Sequence, residues 1–312
     1  MATTTTVSSN YAGKVAGAII GASFKEGDTL SKNVLTLAPN VNYKFNLRKI
    51  AYTDGTVDYS CGHVPAGAIV LSEKVIEPKK VKNDFDICKE DFRQTWSEDS
   101  MGASASNPNA PSDIMEAIQL EMLSSQAELI DAQIWSGLNA TNGQIGDGFI
   151  PQFTADGDVV KANNGIVPPA TATTEANVEA HLKLALSAIP TKVRRKNLNV
   201  MVSSNVWQAY MFYLTSKGIA WNGSTEEKRM GFAGYMLVEI QGLPDNTIVC
   251  AESSNLVFAT GLEADFNDVS LVDEDTIGLL TGQVRGKIVY SGGMGYYNPS
   301  EIVYLLTTTA VV

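Results

Sequence analysis

Residues 112–136 contain no proline, glycine, lysine or arginine, and only one kind of secondary structure accommodates such a run. Straight-chain and apolar residues recur in it at helical spacing, so the spacing predicts one long helix over 113–137. At 1.5 Å per residue this helix is roughly 36 Å long. Ser112 or Asp113 is placed to cap it, with Glu116 close behind as in a capping box. Ile114, Ile118 and Met122 share one face, and Leu123, Ala127, Ile130 and Ile134 continue the stripe with a slow drift. Asp113, Glu116, Glu121, Glu128 and Asp131 add only negative charge. Two readings of that acidic face stand side by side: it is solvated, or it meets basic residues of a neighbouring subunit. A long lone helix among short strands reads as a girder rather than as a catalytic scaffold.

Gly137 ends the run, and Gly143, Gly146 and Gly148 follow. Gly143-Gln-Ile-Gly146-Asp-Gly148 looks at first like a phosphate-binding loop. A dinucleotide fingerprint follows a strand, whereas this segment follows a helix, so that reading is rejected. The glycines are expected because the chain must turn where a helix ends.

Elsewhere the pattern is mostly that of strands. Residues 46–52 alternate, Asp54-Gly55 marks a tight turn, and 68–76 and 79–88 read as further strands. Together they form a hairpin excursion with few core residues, which needs a partner surface to be stable. A short helix is expected over 91–96 and a loop over 101–111. Residues 149–170 read as loop and short strand, ending in Pro168-Pro169. Residues 174–189 form an amphipathic helix with Val178, Leu182, Ala185, Leu186 and Ile189 on one face, stopped by Pro190. A buried strand over 198–203, a helix over 206–214 and strands over 235–240, 247–251, 255–261, 269–272, 284–290 and 301–307 follow. Helices and strands mix without strict alternation, so the fold class is α+β.

Composition excludes several kinds of chemistry. The 312 residues are 44% hydrophobic, enough for a real core. A net charge of −11 argues against a protein that grips nucleic acid over a broad surface. Cys61, Cys88 and Cys250 are scattered and odd in number, and read as reduced thiols rather than as a disulfide framework or zinc site. His63 and His181 stand alone, which leaves no material for a histidine triad or a multi-histidine metal site. No stretch is long and apolar enough to span a membrane, and the polar leader before residues 15–23 does not resemble a signal peptide. Lys192-Val-Arg194-Arg195-Lys196 is the one dense basic cluster. It reads as a solvated loop, with inter-subunit ion pairing as the sharper alternative. Asp265, Asp268, Asp273, Glu274 and Asp275 lack calcium-loop spacing and read as a surface acidic patch. No nucleophile–base or paired-carboxylate constellation stands out, so no catalytic residue, cofactor or metal is assigned and the chain does not read as an enzyme.

The order of these parts resembles the major capsid protein of tailed bacteriophages, with the Hong Kong 97 fold. Residues 128–150 resemble the end of that family's spine helix and the turn after it. Ala188-Ile-Pro190 through Arg194-Arg195 to the strand over 198–203 resembles the approach to a central strand of its axial domain. Gly242-Leu-Pro244 with 247–249 and 256–258 resembles the strand pair that follows, and Gly295-Tyr-Tyr-Asn-Pro299 with 300–303 resembles the closing strand. The resemblance spans about residues 40–308 and lies in the order of loose strings. Residues 1–45, rich in Thr, Ser, Ala and Gly, read as an extended arm that lies on something else, and the resemblance implies the same N-terminal arm over 1–45 and an extended loop over 46–83. It also implies a peripheral domain over 84–150 and 262–298 carrying the spine helix, and an axial domain over 151–261 and 299–312. The implied function is structural: self-assembly into pentamers and hexamers of an icosahedral shell around double-stranded DNA, in a virion assembled in a bacterial cytoplasm. Implied partners are other copies of the chain, a separate scaffold protein, a portal and decoration proteins, with no membrane. Candidate inter-subunit contacts are Lys74, Lys79, Lys80, Lys82, Glu116, Glu121, Glu128, Arg194 and Arg195. Some members of the family cross-link a loop lysine to a neighbour's asparagine, but no reacting pair is identifiable in this chain and the cross-link is not carried over. An encapsulin-type cellular compartment shell is the nearer alternative, and a soluble enzyme with an unrecognised site the farther one.

Overall fold

The computed structural model describes residues 28–59, 61–62, 66–89, 112–162, 172–218, 231–261, 269–275, 277–279 and 281–306. The expected short helix over 91–96, the loop over 101–111, His63, Pro168-Pro169, Asp265, Asp268 and residues 1–27 of the arm lie outside them. So do the side chains of residues 112–118, among them the capping residues and Glu116.

In chain order the elements begin with a single helical turn α1 (Asp28–Ser31), β1 (Thr36–Ala38), β2 (Phe45–Thr53), β3 (Ala68–Ile76) and β4 (Lys79–Cys88). Then come the long helix α2 (Ser112–Ser136), α3 (Phe149–Ala155), β5 (Val160–Lys161), α4 (Val178–Ser187), β6 (Asn199–Ser203) and α5 (Ser204–Ser216). The chain continues with β7 (Gly231–Phe232), β8 (Tyr235–Ile240), β9 (Thr247–Ala251), β10 (Leu256–Thr260), β11 (Val269–Asp273), β12 (Gln283–Tyr296) and β13 (Val303–Leu306). The class is mixed α+β, as expected.

Among the described residues the strands form two sheets and a separate ribbon. In the first sheet β12 is the axis: its end pairs with β10, its start with β11, and β4 runs antiparallel along its other side. β1 adds to β10 in parallel. The second sheet has the order β5-β13-β9-β6-β8-β7. β2 and β3 make a ribbon of their own, paired from Phe45↔Ile76 to Thr53↔Ala68. One apolar cluster joins the two sheets, running from Met201, Val238 and Val249 to Phe258, Ile288 and Tyr290. A second cluster, under α4 and α5, covers the other face of the second sheet.

α2 meets this core with its C-terminal half, where Ile130, Ile134 and Trp135 are buried. An aromatic line runs from Trp135 through Phe149 (5.4 Å between ring centroids) and Phe153 (5.9 Å) to Tyr296 and Tyr304. The glycine-rich turn makes this line possible. Gly143 and Gly146 take φ of 81° and 139°, left-handed values that cost glycine little. A side chain on Gly148 would lie 2.6 Å from the Trp135 carbonyl.

Four readings of the sequence need correction. Residues 149–155 are helix rather than loop: Phe149, Ile150 and Phe153 are buried on one side, and Pro151 sits in the first turn, where its missing N–H has no helical carbonyl to meet. α4 starts at Val178, not 174, because the Asn177 side chain accepts from Thr174 N (2.6 Å) and donates to the Ala172 carbonyl (2.9 Å), holding 174–177 in a turn. Asp54-Gly55 is not a two-residue hairpin turn. Pairing ends at Thr53↔Ala68, and Asp54 instead accepts from Thr56 N (3.0 Å), bending the chain at the start of a longer loop. Residues 28–41 of the expected arm lie on their own chain, with Thr29 and Val34 buried and β1 in the first sheet.

Candidate assembly surfaces

The β2–β3 ribbon is asymmetric, and register explains how. Directly opposed residues share a face. One face carries Leu47 opposite Lys74, Lys49 opposite Ser72, and Phe45 opposite Ile76. Its root rests on the body, with Leu47 and Ile76 buried beside Val41, Val257 and Ala259. The other face carries the pairs Tyr52–Ile69 and Ile50–Leu71, with Arg48–Glu73 bridged at 3.1 Å nearer the root. Those four large apolar side chains are 68%, 70%, 72% and 73% exposed. Covering each one stabilises an assembly by roughly 1–2 kcal/mol. A contiguous apolar patch of this kind marks a contact surface.

The expected contact lysines behave differently from one another. Lys74 exposes its stem, but its ammonium is tucked over the Tyr296 ring, 3.4 Å from the centroid. Burial lowers its pKa, and the charge of Asp156 opposes the shift. The Tyr296 hydroxyl donates to Asp156 Oδ2 at 2.7 Å, a bond that holds the Asp156 carboxyl below its usual range. Lys79 Nζ donates to both Asn139 O and Asn139 Oδ1 at 3.3 Å. Lys82 pairs with Asp84 two residues along β4, and Lys80 is exposed. The sequence reading missed Tyr296, which receives Lys74; Asp156, which accepts from Tyr296; and Asn298, whose Oδ1 accepts from Lys49 Nζ at 2.7 Å. No spacing relates residues so far apart in the chain.

Glu121 and Glu128 lie on the rim of a groove of about 660 Å³ between α2 and β4. Phe85, Ile87, Met122 and Leu129 form its apolar wall. β4 turns Val81, Asn83, Phe85 and Ile87 toward the helix, where Gln126 accepts from Asn83 Nδ2 (3.3 Å) and donates to the Tyr290 hydroxyl (2.7 Å). Asp131 does not belong to the acidic face. It is buried, and its Oδ1 accepts from Thr29 N at 3.0 Å.

The basic loop is tied to its own chain. Arg194 donates to the carbonyls of Ile189 (3.1 Å) and Ser187 (3.4 Å), closing the C-terminus of α4. Lys196 pairs with Glu301 (2.5 Å) and Glu252 (3.4 Å), while Arg195 is exposed. The acidic run at 273–275 is not a surface patch. Lys89, buried at the end of β4, pairs with both Asp273 and Asp275, and nearly inaccessible Glu274 pairs with Arg285 at 2.8 Å. Among the described residues no His, Cys, Asp or Glu cluster is placed to hold a metal ion. Among them, too, no helix is long and apolar enough to cross a membrane. His181 is buried against Thr173, whose hydroxyl lies 3.0 Å from Nδ1.

No protein-family model and no curated protein sequence matches this chain. Solved structures match it in fold. The capsid of a native GTA particle covers 97% of this chain and 96% of its own, with a TM-score of 0.57 and 12% identity. A structure from Microbacterium phage Oxtober96 covers 95% and 96%, at TM-score 0.59 and 11% identity. A satellite phage P4 procapsid, which includes a size determination (Sid) protein, covers 89% and 94%, at TM-score 0.50 and 11% identity. The likeness is one of overall fold, along nearly the whole length of each chain.

Proposed function

We propose that this chain is the major subunit of a phage capsid: a structural protein that assembles into pentamers and hexamers of an icosahedral shell enclosing double-stranded DNA. One observation carries the reading. A ribbon of nine-residue strands leaves an apolar face exposed while its other face is rooted on the body. A single chain gains nothing from such a face, whereas a neighbouring copy covers it. The fold shared with capsid structures supports the same reading.

On this reading the architecture is of the Hong Kong 97 type. α2 is the spine helix, 46–83 the extended loop and 1–45 the arm. The first sheet belongs to the peripheral domain, and the second, with α4 and α5, to the axial domain. β10 then joins the peripheral sheet, because it pairs with β12. The shell works without catalysis. Each contact is weak, and many per subunit add up. An acidic chain of net charge −11 encloses DNA without trapping it. A scaffold protein, a portal and decoration proteins are the proposed partners, and the virion is the proposed location.

Negative-stain electron microscopy of the purified chain, with particle mass measurement, tests this. Closed shells, tubes, or rings of five or six copies are the expected outcome. A uniform monomer at high concentration, both alone and with a co-expressed scaffold candidate, overturns it.

A further inference from the structure

The glycine-rich turn after α2 is tied at its base and open at its tip. Gly148 N donates to Gly137 O at 2.8 Å, and Asn139 N donates to Asp147 Oδ1 at 2.8 Å. Gln133, buried on α2, holds the returning chain: its Nε2 donates to Gly143 O (3.2 Å) and its Oε1 accepts from Ile145 N (3.3 Å). Ile145 is part of the core cluster that joins the sheets. The tip reads Ala140-Thr-Asn142-Gly143, and Asn142 is exposed. Gly143 has a φ of 81°, and a Cβ built on it would meet nothing within 4 Å. Among the described residues nothing accepts from the Gly143 N–H, and nothing pairs with the Asn142 side-chain amide.

An asparagine before a glycine stands next to its own nucleophile. Its Cγ is one five-membered ring away from the following main-chain nitrogen, and with glycine there no Cβ stands against the attack. Among the described residues Asn142–Gly143 is the one such pair. Other asparagines are held off the reaction. Asn139 precedes Ala140, and Asn298 precedes Pro299, whose nitrogen has no proton to lose. Asn177 and Asn246 are fixed through side-chain hydrogen bonds to Thr174 N (2.6 Å) and Thr173 N (2.7 Å).

We propose that Asn142 is a site of spontaneous covalent modification, where the side chain closes on the Gly143 nitrogen and the resulting isoaspartate releases the turn from Gln133. The Gly143 nitrogen bonds to Asn142 Cγ and gives up its proton, and the side-chain nitrogen leaves as ammonia. Water then opens the succinimide ring. Breaking the bond from the nitrogen to Cγ gives aspartate on the original main chain. Breaking its bond to the Asn142 carbonyl carbon gives isoaspartate, whose main chain runs through Cβ and Cγ and is one methylene longer. Nothing is oxidised or reduced. Either product adds a negative charge at the tip, and isoaspartate also displaces the Gly143 carbonyl from Gln133. A buried amide that loses its partner no longer holds the geometry around it, so the bond from Ile145 N is loosened too. The reaction runs one way, and the turn therefore records the age of the chain. The inference concerns the single chain and does not depend on the shell reading.

The test is to age the purified full chain in its native state at mildly alkaline pH. Peptide mapping with electron-transfer fragmentation follows Asn142. Methyl transfer from S-adenosylmethionine by an isoaspartyl methyltransferase counts the isoaspartate. Asn142 is expected to convert within about threefold of its rate in the same chain unfolded in urea, because an exposed tip needs no opening, while Asn139 keeps its amide. Asn142→Gln removes the product at this position. In the aged native chain the Ile145 amide exchanges about tenfold faster while β10 keeps its protection, and aged Asn142→Gln keeps the original Ile145 rate. An Asn142 that keeps its amide in the native chain while the unfolded chain loses it overturns the proposal. Conversion that leaves Ile145 exchange unchanged also overturns it, as does equal acceleration in aged Asn142→Gln.

Discussion

Asp131 and Gly242 show how much of this fold rests on single atoms. Asp131 sits on α2 with Thr29 donating to it, and the Trp135 indole donates to Thr29 Oγ1 at 2.8 Å. The first described turn of the chain is thereby stitched to the long helix from two sides. Gly242 closes the third side. A Cβ there would lie 2.5 Å from the Asp131 carbonyl oxygen and 2.6 Å from its Oδ2. The carbonyl oxygen belongs to the helix backbone and cannot swing aside as a side chain can, so the backbone itself would have to yield. Gly242→Ala is expected to destabilise the chain by about 1–3 kcal/mol, read as a lower urea midpoint at unchanged slope. Asp131 also shows where charge patterning misleads. Five acids on one helix read as one outward face, solvated or turned to a neighbour, yet this one is turned inward by a partner 102 residues away. Nothing local to the sequence announces that bond.

At the scale of the element, the β11–β12 corner is held by charge. Lys89 is buried between Asp273 and Asp275, and Gly282 N donates to Asp275 Oδ1 at 2.9 Å. Burial alone would lower the pKa of Lys89, but the hydrogen bonds and charges of the two carboxylates outweigh it and raise the value. Lys89 in turn holds the Asp275 carboxyl low. The signs fix the window. A depressed carboxyl contributes stability above its unfolded value, near 4, and loses it as pH falls through the folded one; a raised lysine contributes below about 10.4 and loses it as pH rises. Lys89→Met should therefore lower the urea midpoint at pH 7, with the difference shrinking toward pH 3 and toward pH 11.

Elements that carry a strong period of their own were legible. The long helix was expected over 113–137 and runs Ser112–Ser136, and the three strands over 46–52, 68–76 and 79–88 stand within a residue of their observed ends. Of the buried face of α4, Val178, Leu182, Ala185 and Leu186 were legible, while His181 was not and Ile189 lies past the helix end. α3 was missed because seven residues with a proline in the first turn show no helical period, and the turn at 174–177 because Asn177 recruits its own neighbours. Which strands pair was hidden as well. β8 and β9 follow each other in sequence but lie on either side of β6. Of the contact surface, the need of the hairpin for a partner was legible from its thin core. Which of its faces stays open depends on register and on the strands its root rests on, neither of which the pattern of the hairpin itself contains.

At the scale of the whole molecule, the proposed assembly separates the residues of stability from those of association. The cluster that joins the sheets is buried within one chain, whereas Ile50, Tyr52, Ile69 and Leu71 are exposed and, on the proposed reading, are what a second copy covers. The two can be separated by mutation. Ile50→Ser with Leu71→Ser should change the unfolding free energy of the chain by less than about 1 kcal/mol, as exposed positions do. The same pair should abolish or sharply weaken assembly, measured by sedimentation at matched concentrations. Loss of assembly together with loss of the fold would mean that the ribbon is an internal support.

The one-sided ribbon also bears on how growth begins and ends. In the proposed shell, every copy that covers its neighbour's apolar face brings an uncovered face of its own. In a partial sheet of copies the uncovered ribbons collect along the rim, so their cost scales with perimeter while the gain scales with area. That is a line tension. It makes small clusters dissolve, sets a critical size beyond which growth runs downhill, and vanishes only when the rim closes on itself.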